Sequence, residues 1–451
     1  MADWRTGYLD TVRAQLHWKQ AQPVVLRELE AHLEDQCAAY CRDGLTRDEA
    51  RQETIRQMGD PVAVGQALDQ IHRPRNAWEI VSVMAALLAI SLGLWVFVFY
   101  EKSHWTLNHW LWTPLWSIVL GGGLCFLVSR LDLNRLAKRV WLLYGVCLAV
   151  MALSMLYTRI WLDGGYGPYY LGQYGGLLLP FSYGCAVYAL RNKGQRGLGL
   201  CAAALVPPAA LCWFSGNVWL LVCLCVSAAV LLLVANGHGS FGTRTGRNAA
   251  VILGSVFALP TIGLFLSRNR LDRTFEMLRR DLEESYLWNY IRGLLTHSKP
   301  LGAGDEFLLP DARYPISPDQ NQFGLSDLLS TDYLLAGTAY LCGWVVALAL
   351  LLAVVILLVL LLRRCMKQRT LWGALIACAV TVPLIVQTVG YALVNLGLPI
   401  GGFRLPLLSY GGKFRVLDLA LLGLLLATAR CRTILRDEPG EKQPVHTMAE
   451  L

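Results

Sequence analysis

Several groups of residues in this 451-residue chain have types and spacing that could do chemistry. One is the segment Gly401-Gly402-Phe403-Arg404-Leu405-Pro406-Leu407-Leu408-Ser409-Tyr410-Gly411-Gly412-Lys413. It lies between two apolar runs, so its glycines and proline imply irregular backbone at membrane depth. Such backbone survives only when it is buried in protein or lines a cavity. Arg404 and Lys413 are cations that can pair with phosphate, or form salt bridges with Asp305, Asp327 or Asp418. A second group lies in the polar stretch 267–331. Leu271, Phe275, Leu278, Leu282 and Tyr286 recur at helical spacing, with Arg268, Arg270, Arg273, Arg279 and Arg280 on the other side. This pattern suits a helix lying on the outer lipid surface, and equally a lid over an external site for an anionic lipid headgroup. Ser330, Thr331 and Asp332 stand just before an apolar run, where any of them could cap a helix. Cys37 and Cys41 share a helix face at i, i+4. Two thiols do not make a structural zinc site, and no His or Cys pair lies nearby at ligand spacing.

The elements that must position these residues follow from composition. Apolar residues make up 55% of the chain and charged residues 16%, against about 25% charged in soluble domains. Residues 1–76 hold 10 basic and 12 acidic side chains of the 72 charged residues in the chain. The split predicts a small soluble head on a large membrane body. In the head, Leu26, Leu29, Leu33, Cys37 and Tyr40 mark one face of a helix. Gly44 terminates it, Thr46-Arg47-Asp48-Glu49 reads as a capping box, Gly59 ends the next helix, and Asp60-Pro61 starts another. Nothing in the head is catalytic in type; it reads as a docking or regulatory domain. Most of the 13 cysteines lie inside apolar runs, which argues for small core residues rather than a disulfide framework.

A membrane-spanning helix needs about 20 predominantly apolar residues. Ten such spans are expected, near 78–100, 109–129, 140–157, 169–190, 198–214, 217–235, 249–266, 332–362, 370–398 and 414–429. The fold class is therefore all-α, with ten transmembrane helices over 77–430, a cytoplasmic helical domain over 1–76 and a tail over 431–451. Pro207-Pro208 should break or kink the fifth span, and a protein neighbour or a cavity must then satisfy the freed carbonyls. With the head inside, the short inner loops carry 13 basic residues and the short outer ones 4. The positive-inside rule then places both termini in the cytoplasm and 267–331 outside. Trp78, Tyr100, Trp110, Tyr157, Trp161 and Tyr169 fall near span ends, as an aromatic belt would. The basic residues are accounted for by this topology, so no nucleic-acid partner is expected. The partner is membrane lipid.

Pro399, Gly402, Leu405-Pro406 and Leu407-Leu408-Ser409-Tyr410-Gly411-Gly412 resemble the signature of the FtsW/RodA/SpoVE (SEDS) family of bacterial cell-wall synthesis. The head resembles the small helical prefix found before some permeases and membrane regulators. The family resemblance implies a bacterial cell-membrane protein of peptidoglycan synthesis in division, elongation or sporulation. Its active members polymerise lipid II, a polyprenyl-pyrophosphate-linked sugar, as glycosyltransferases at the outer face. The family's essential aspartate sits in a Thr-Asp-aromatic motif, here Thr331-Asp332-Tyr333, so Asp332 is the implied catalytic base. Arg404, Ser409, Tyr410, Gly411, Gly412 and Lys413 are the implied substrate-binding residues. A class B penicillin-binding protein is the implied partner. No cofactor is demanded, although a divalent cation at the pyrophosphate is compatible with the chemistry. Departures are present: Arg404 stands where a proline is usual, Lys413-Phe414 where small polar residues are usual, Gln173-Tyr174-Gly175-Gly176 where Gln-Pro-Ser-Glu is usual, and Phe214-Ser215-Gly216-Asn217 where Pro-Asp-Leu-Gly is usual. A catalytically impaired scaffold or regulator, and a permease, therefore stand as alternatives.

The topology is testable by labelling intact cells with an impermeant thiol reagent. A cysteine placed near Gly304 should react and Cys37 should not; labelling of Cys37 would overturn the orientation.

Overall fold

The computed structural model describes residues 4–74, 77–102, 107–161, 175–215, 218–242, 244–266, 286–307, 333–398, 403–409 and 411–431. The protein is all-helical, with no strand among these residues. Two compact units are formed, one from 1–76, 132–134 and 429–451, the other from 77–131 and 135–428.

The smaller unit holds α1 (Thr6–Gln15), α2 (Gln22–Arg42), α3 (Arg47–Met58) and α4 (Pro61–His72). Its caps are local devices. Gly44 and Gly59 take positive φ at the ends of α2 and α3, a conformation with no steric cost for glycine. Thr46 and Glu49 form a capping box, and the Asp60 carboxylate accepts the N–H groups of Val62 and Ala63 ahead of Pro61. Val25, Leu26, Leu29 and Leu33 are the buried face of α2; Cys37 and Tyr40 are half-buried. Asp69 ties α4 to the α1–α2 turn by accepting the His17 N–H, and it pairs with Arg73. Burial pushes its carboxyl up, but these bonds more than offset that and hold it below its ordinary value.

The larger unit contains α5 (Trp78–Lys102), α6 (Leu107–Ser129), α7 (Leu133–Ala137, in part), α8 (Val140–Trp161), α9 (Leu179–Ala189), α10 (Gly194–Phe214), α11 (Val218–Gly237) and α12 (Thr245–Leu266). It continues with α13 (Tyr286–Thr296), α14 (Leu334–Cys342), α15 (Trp344–Met366), α16 (Leu371–Asn395) and α17 (Gly412–Arg430). Helix occupies at least part of each expected span among the described residues, which does not fix the count at ten. Six helices over the described residues are long and apolar enough to cross a membrane. α9 and α16 form the centre: Leu179–Tyr188 is buried throughout, as is Leu371–Thr381. α15 buries only Ala347, Leu350, Val354, Leu357, Leu358, Leu361 and Cys365, while Val345, Leu348, Leu352, Val355 and Val359 face outward. A helix apolar on all sides belongs in lipid. All thirteen cysteines are free thiols.

Two local expectations are corrected. α10 runs unbroken through Pro207 and Pro208. Pro208 has no N–H for the carbonyl four residues earlier, and the Tyr144 hydroxyl of α8 donates to that carbonyl, Ala204 O, at 2.8 Å. Of the two expected ways to satisfy it, a protein neighbour is the one present, and the helix is continuous. The eighth span, by contrast, is expected as one element but breaks at Gly343 (φ 100°) into α14 and α15. A strap from the loop after α13 covers the break. The carbonyls of Lys299 and Pro300 accept from Trp344 and Val345 N–H, and Gly302 and Gly304 N–H donate to the carbonyls of Cys342 and Tyr340. Phe307 packs edge-on against Tyr340. Backbone groups freed at the break are thus paired by the 299–304 segment. The arginine-rich amphipathic pattern over 271–285 lies outside the described residues.

Tyr144→Phe removes the donor to Ala204 O and should destabilise the full chain by about 1 kcal/mol. Unfolding of the detergent-solubilised protein by a denaturing detergent would read this as an earlier midpoint; an unchanged midpoint would deny the bond its role.

Candidate functional site

The described part of the signature segment is the turn 403–409 together with the start of α17. Apolar packing fixes its first residue. Phe403 stacks near Trp219 and lies against Gly390, where a Cβ would come within 2.4 Å of the ring. Arg404 N–H donates to Gln387 Oε1, and its guanidinium lies 4.4 Å above the Phe414 ring. Leu405 N–H donates to Ser409 Oγ at 2.8 Å, and Ser409 N–H returns a bond to Leu405 O. The turn therefore closes on itself. Leu407 adopts φ 63°, a left-handed conformation that costs a branched residue on the order of 1 kcal/mol.

Buried charge lies beneath the turn. Arg415 is 2% exposed and Asp418 7%. The Arg415 guanidinium donates to Ser117 Oγ of α6 at 3.1 Å and to Ser91 Oγ of α5 at 2.8 Å. Ser91 Oγ in turn donates to Leu408 O. Asp418 accepts from Leu407 N–H at 3.4 Å and is within electrostatic reach of Arg415 and Arg404. Gln387, Arg404, Ser409, Arg415 and Asp418 line a cavity of about 10 Å³, room for about one water.

Of the residues singled out from the sequence, Arg404, Ser409, Gly411, Gly412 and Lys413 fall on this one element. Arg404 is half-buried, Ser409 is buried with its hydroxyl accepting from the turn, and Lys413 is exposed on the first turn of α17. Tyr410 and Asp332 lie outside the described residues. The helix that follows Asp332 is described. Leu334 N–H donates to the Tyr391 hydroxyl and Ala336 N–H to Asn395 Oδ1, both from α16. N-terminal donors that a cap would serve are therefore taken from the side. Tyr333 stands at the N-cap, and its side chain makes no capping hydrogen bond. Asp305, one proposed partner for Arg404 or Lys413, pairs instead with Lys299. Sequence reasoning missed Arg415, Ser91, Ser117, Tyr391 and Asn395. An arginine three residues before Asp418 inside an apolar run was a readable signal, because buried charges in membranes come with partners. Among the described residues no group of three His, Cys, Asp or Glu side chains comes together, so no residue is assigned to a metal.

Residues 319–434 match the FtsW/RodA/SpoVE family, described as cell cycle protein. This stretch contains Asp332, α14–α17 and the signature turn. Over 319–434, then, the chain is similar to the FtsW/RodA/SpoVE family. Solved structures share the fold. A chain from a structure described as structural coordination of polymerization and crosslinking by a peptidoglycan synthase complex aligns with TM-score 0.57 and 22% identity, over 80% of this chain and 99% of that one. The rod shape determining protein RodA of Thermus thermophilus aligns with TM-score 0.52 and 20% identity, over 79% of this chain and 97% of that one. An aspartate-to-alanine variant of the same RodA aligns equally well. No curated protein sequence matches.

Proposed function

We propose that this protein takes part in peptidoglycan synthesis and polymerises lipid II at the outer face of the bacterial membrane. The single observation that carries the reading is the family match over 319–434, because it spans both Asp332 and the signature turn. In the proposed reaction the 4-hydroxyl of one lipid-linked disaccharide attacks the anomeric carbon of another. Asp332 takes the hydroxyl proton, the new glycosidic C–O bond forms, and the bond from the anomeric carbon to the pyrophosphate oxygen breaks. Polyprenyl pyrophosphate leaves with the electron pair. A positioned base of this kind is worth about 10²–10⁴-fold. Arg404 and Lys413 offer cations for the pyrophosphate. The occupation of α14 donors by Tyr391 and Asn395 supports a role for Asp332 other than capping.

The orientation proposed is both termini cytoplasmic and the loop 267–331 external, on the 13-to-4 basic asymmetry. The partner proposed is a crosslinking enzyme, a class B penicillin-binding protein, in line with the polymerization and crosslinking complex that this fold resembles. A second reading, a scaffold or regulator without catalysis, is favoured by Gln173-Tyr174-Gly175-Gly176, where the family usually carries Gln-Pro-Ser-Glu.

Asp332→Asn separates these readings. Asparagine keeps the size of aspartate and its capping ability, so the variant should fold. Polymerisation of lipid II by the full chain with its partner should fall by about 10²-fold or more. Unchanged polymerisation would remove Asp332 as the base, and no polymerisation by the unsubstituted protein would favour the scaffold.

A further inference from the structure

The buried ions Arg415 and Asp418 are not part of the bond-making chemistry above, yet they grip the turn that carries Arg404. Leu407 and Leu408 sit at its apex. One contributes its N–H to Asp418, the other its carbonyl to Ser91, which Arg415 holds. Ser117 fixes the other arm of the same guanidinium. α5, α6 and α17 therefore converge on the backbone of two consecutive residues, the first of which has left-handed backbone. Arginine suits the task because its planar fork serves two acceptors on different helices at once. Stability alone does not account for these two groups: putting apolar residues of similar volume in place of buried, interacting charged groups is often neutral or stabilising, whereas removing one of them is strongly destabilising.

We propose that Arg415 and Asp418 are positioning residues: they clamp the 403–409 turn from beneath, and so fix Arg404 for the anionic group of the substrate. The inference rests on the reading that Arg404 meets the pyrophosphate. The clamp acts on binding, through Arg404, and not on the proton transfer at Asp332. Its loss should therefore appear in the affinity for substrate rather than in turnover.

The test uses the full chain in lipid nanodiscs with a fluorescent lipid II, comparing Arg415→Met, Arg415→Met/Asp418→Leu and Ser91→Ala. Arg415→Met alone strands Asp418 and should lower folded yield. The double variant should recover the unfolding midpoint of the unsubstituted protein. It should nevertheless bind lipid II about tenfold more weakly, with a matching rise in KM and kcat within about threefold. Amide exchange at Leu405 and Ser409 should rise, while that along α16 stays unchanged. Ser91→Ala removes only the bridge to Leu408, and should shift affinity in the same direction even if the double variant fails to fold. Unchanged lipid II affinity in a folded double variant, or in Ser91→Ala, overturns the clamp while leaving the proposed activity standing. An unsubstituted protein that neither binds nor polymerises lipid II overturns the proposed activity itself, and the clamp as a substrate device with it.

Discussion

A backbone N–H or C=O placed in hydrocarbon must find a partner in protein, and most of this structure's particular features answer that demand. Where helices run without interruption the demand is met internally. Where they do not, a named side chain or loop meets it. Tyr144 serves the carbonyl that Pro208 leaves free. The 299–304 strap serves both sides of the break at Gly343. Tyr391 and Asn395 serve the start of α14. Ser91, Asp418 and Ser409 serve the signature turn. The signature turn that carries Arg404 is one of those irregular places.

The interior also holds charge, and the reason is local. Asp418 and Arg415 sit one helical turn apart on α17, Asp418 turned toward the loop just before the helix and Arg415 toward serines of α5 and α6. An ion there is tolerable only if its hydrogen-bonding capacity is met, and the two serines and the Leu407 N–H contribute to meeting it. The same bonds hold Leu407 in a conformation its side chain disfavours. Electrostatics and backbone geometry thus constrain one another at this point.

Legibility from sequence followed the range of the interaction. The capping box at Thr46–Glu49 and the Asp60-Pro61 start are contacts three residues long, and they were readable as written. Span positions followed from apolar run length. The break at Gly343 was not readable, because the run from Leu334 to Leu362 is continuously apolar and the groups that satisfy the break come from Lys299–Gly304, distant in sequence. Pro207-Pro208 announced a freed carbonyl, but not that a single tyrosine would keep the helix straight enough to continue. In the site, Arg404, Ser409 and Lys413 were visible through the signature. Arg415 and its two serines were not, since their meaning depends on α5 and α6 lying beside α17. The role proposed for Asp332 came from family resemblance, not from any pattern in its neighbours.

The central claim, that irregular membrane backbone here is held by specific long-range partners, is tested most directly at Gly343. A Cβ there would come within 2.6 Å of Pro300 O, and φ is 100°, whereas a Cβ at Gly122 of α6 would meet nothing within 4 Å. The measurement is the unfolding midpoint of the detergent-solubilised full chain for Gly343→Ala against Gly122→Ala. The account predicts a loss of about 2 kcal/mol or more for the first, from backbone strain and strap displacement, and about 0.5 kcal/mol or less for the second. Equal midpoints for the two variants would contradict it.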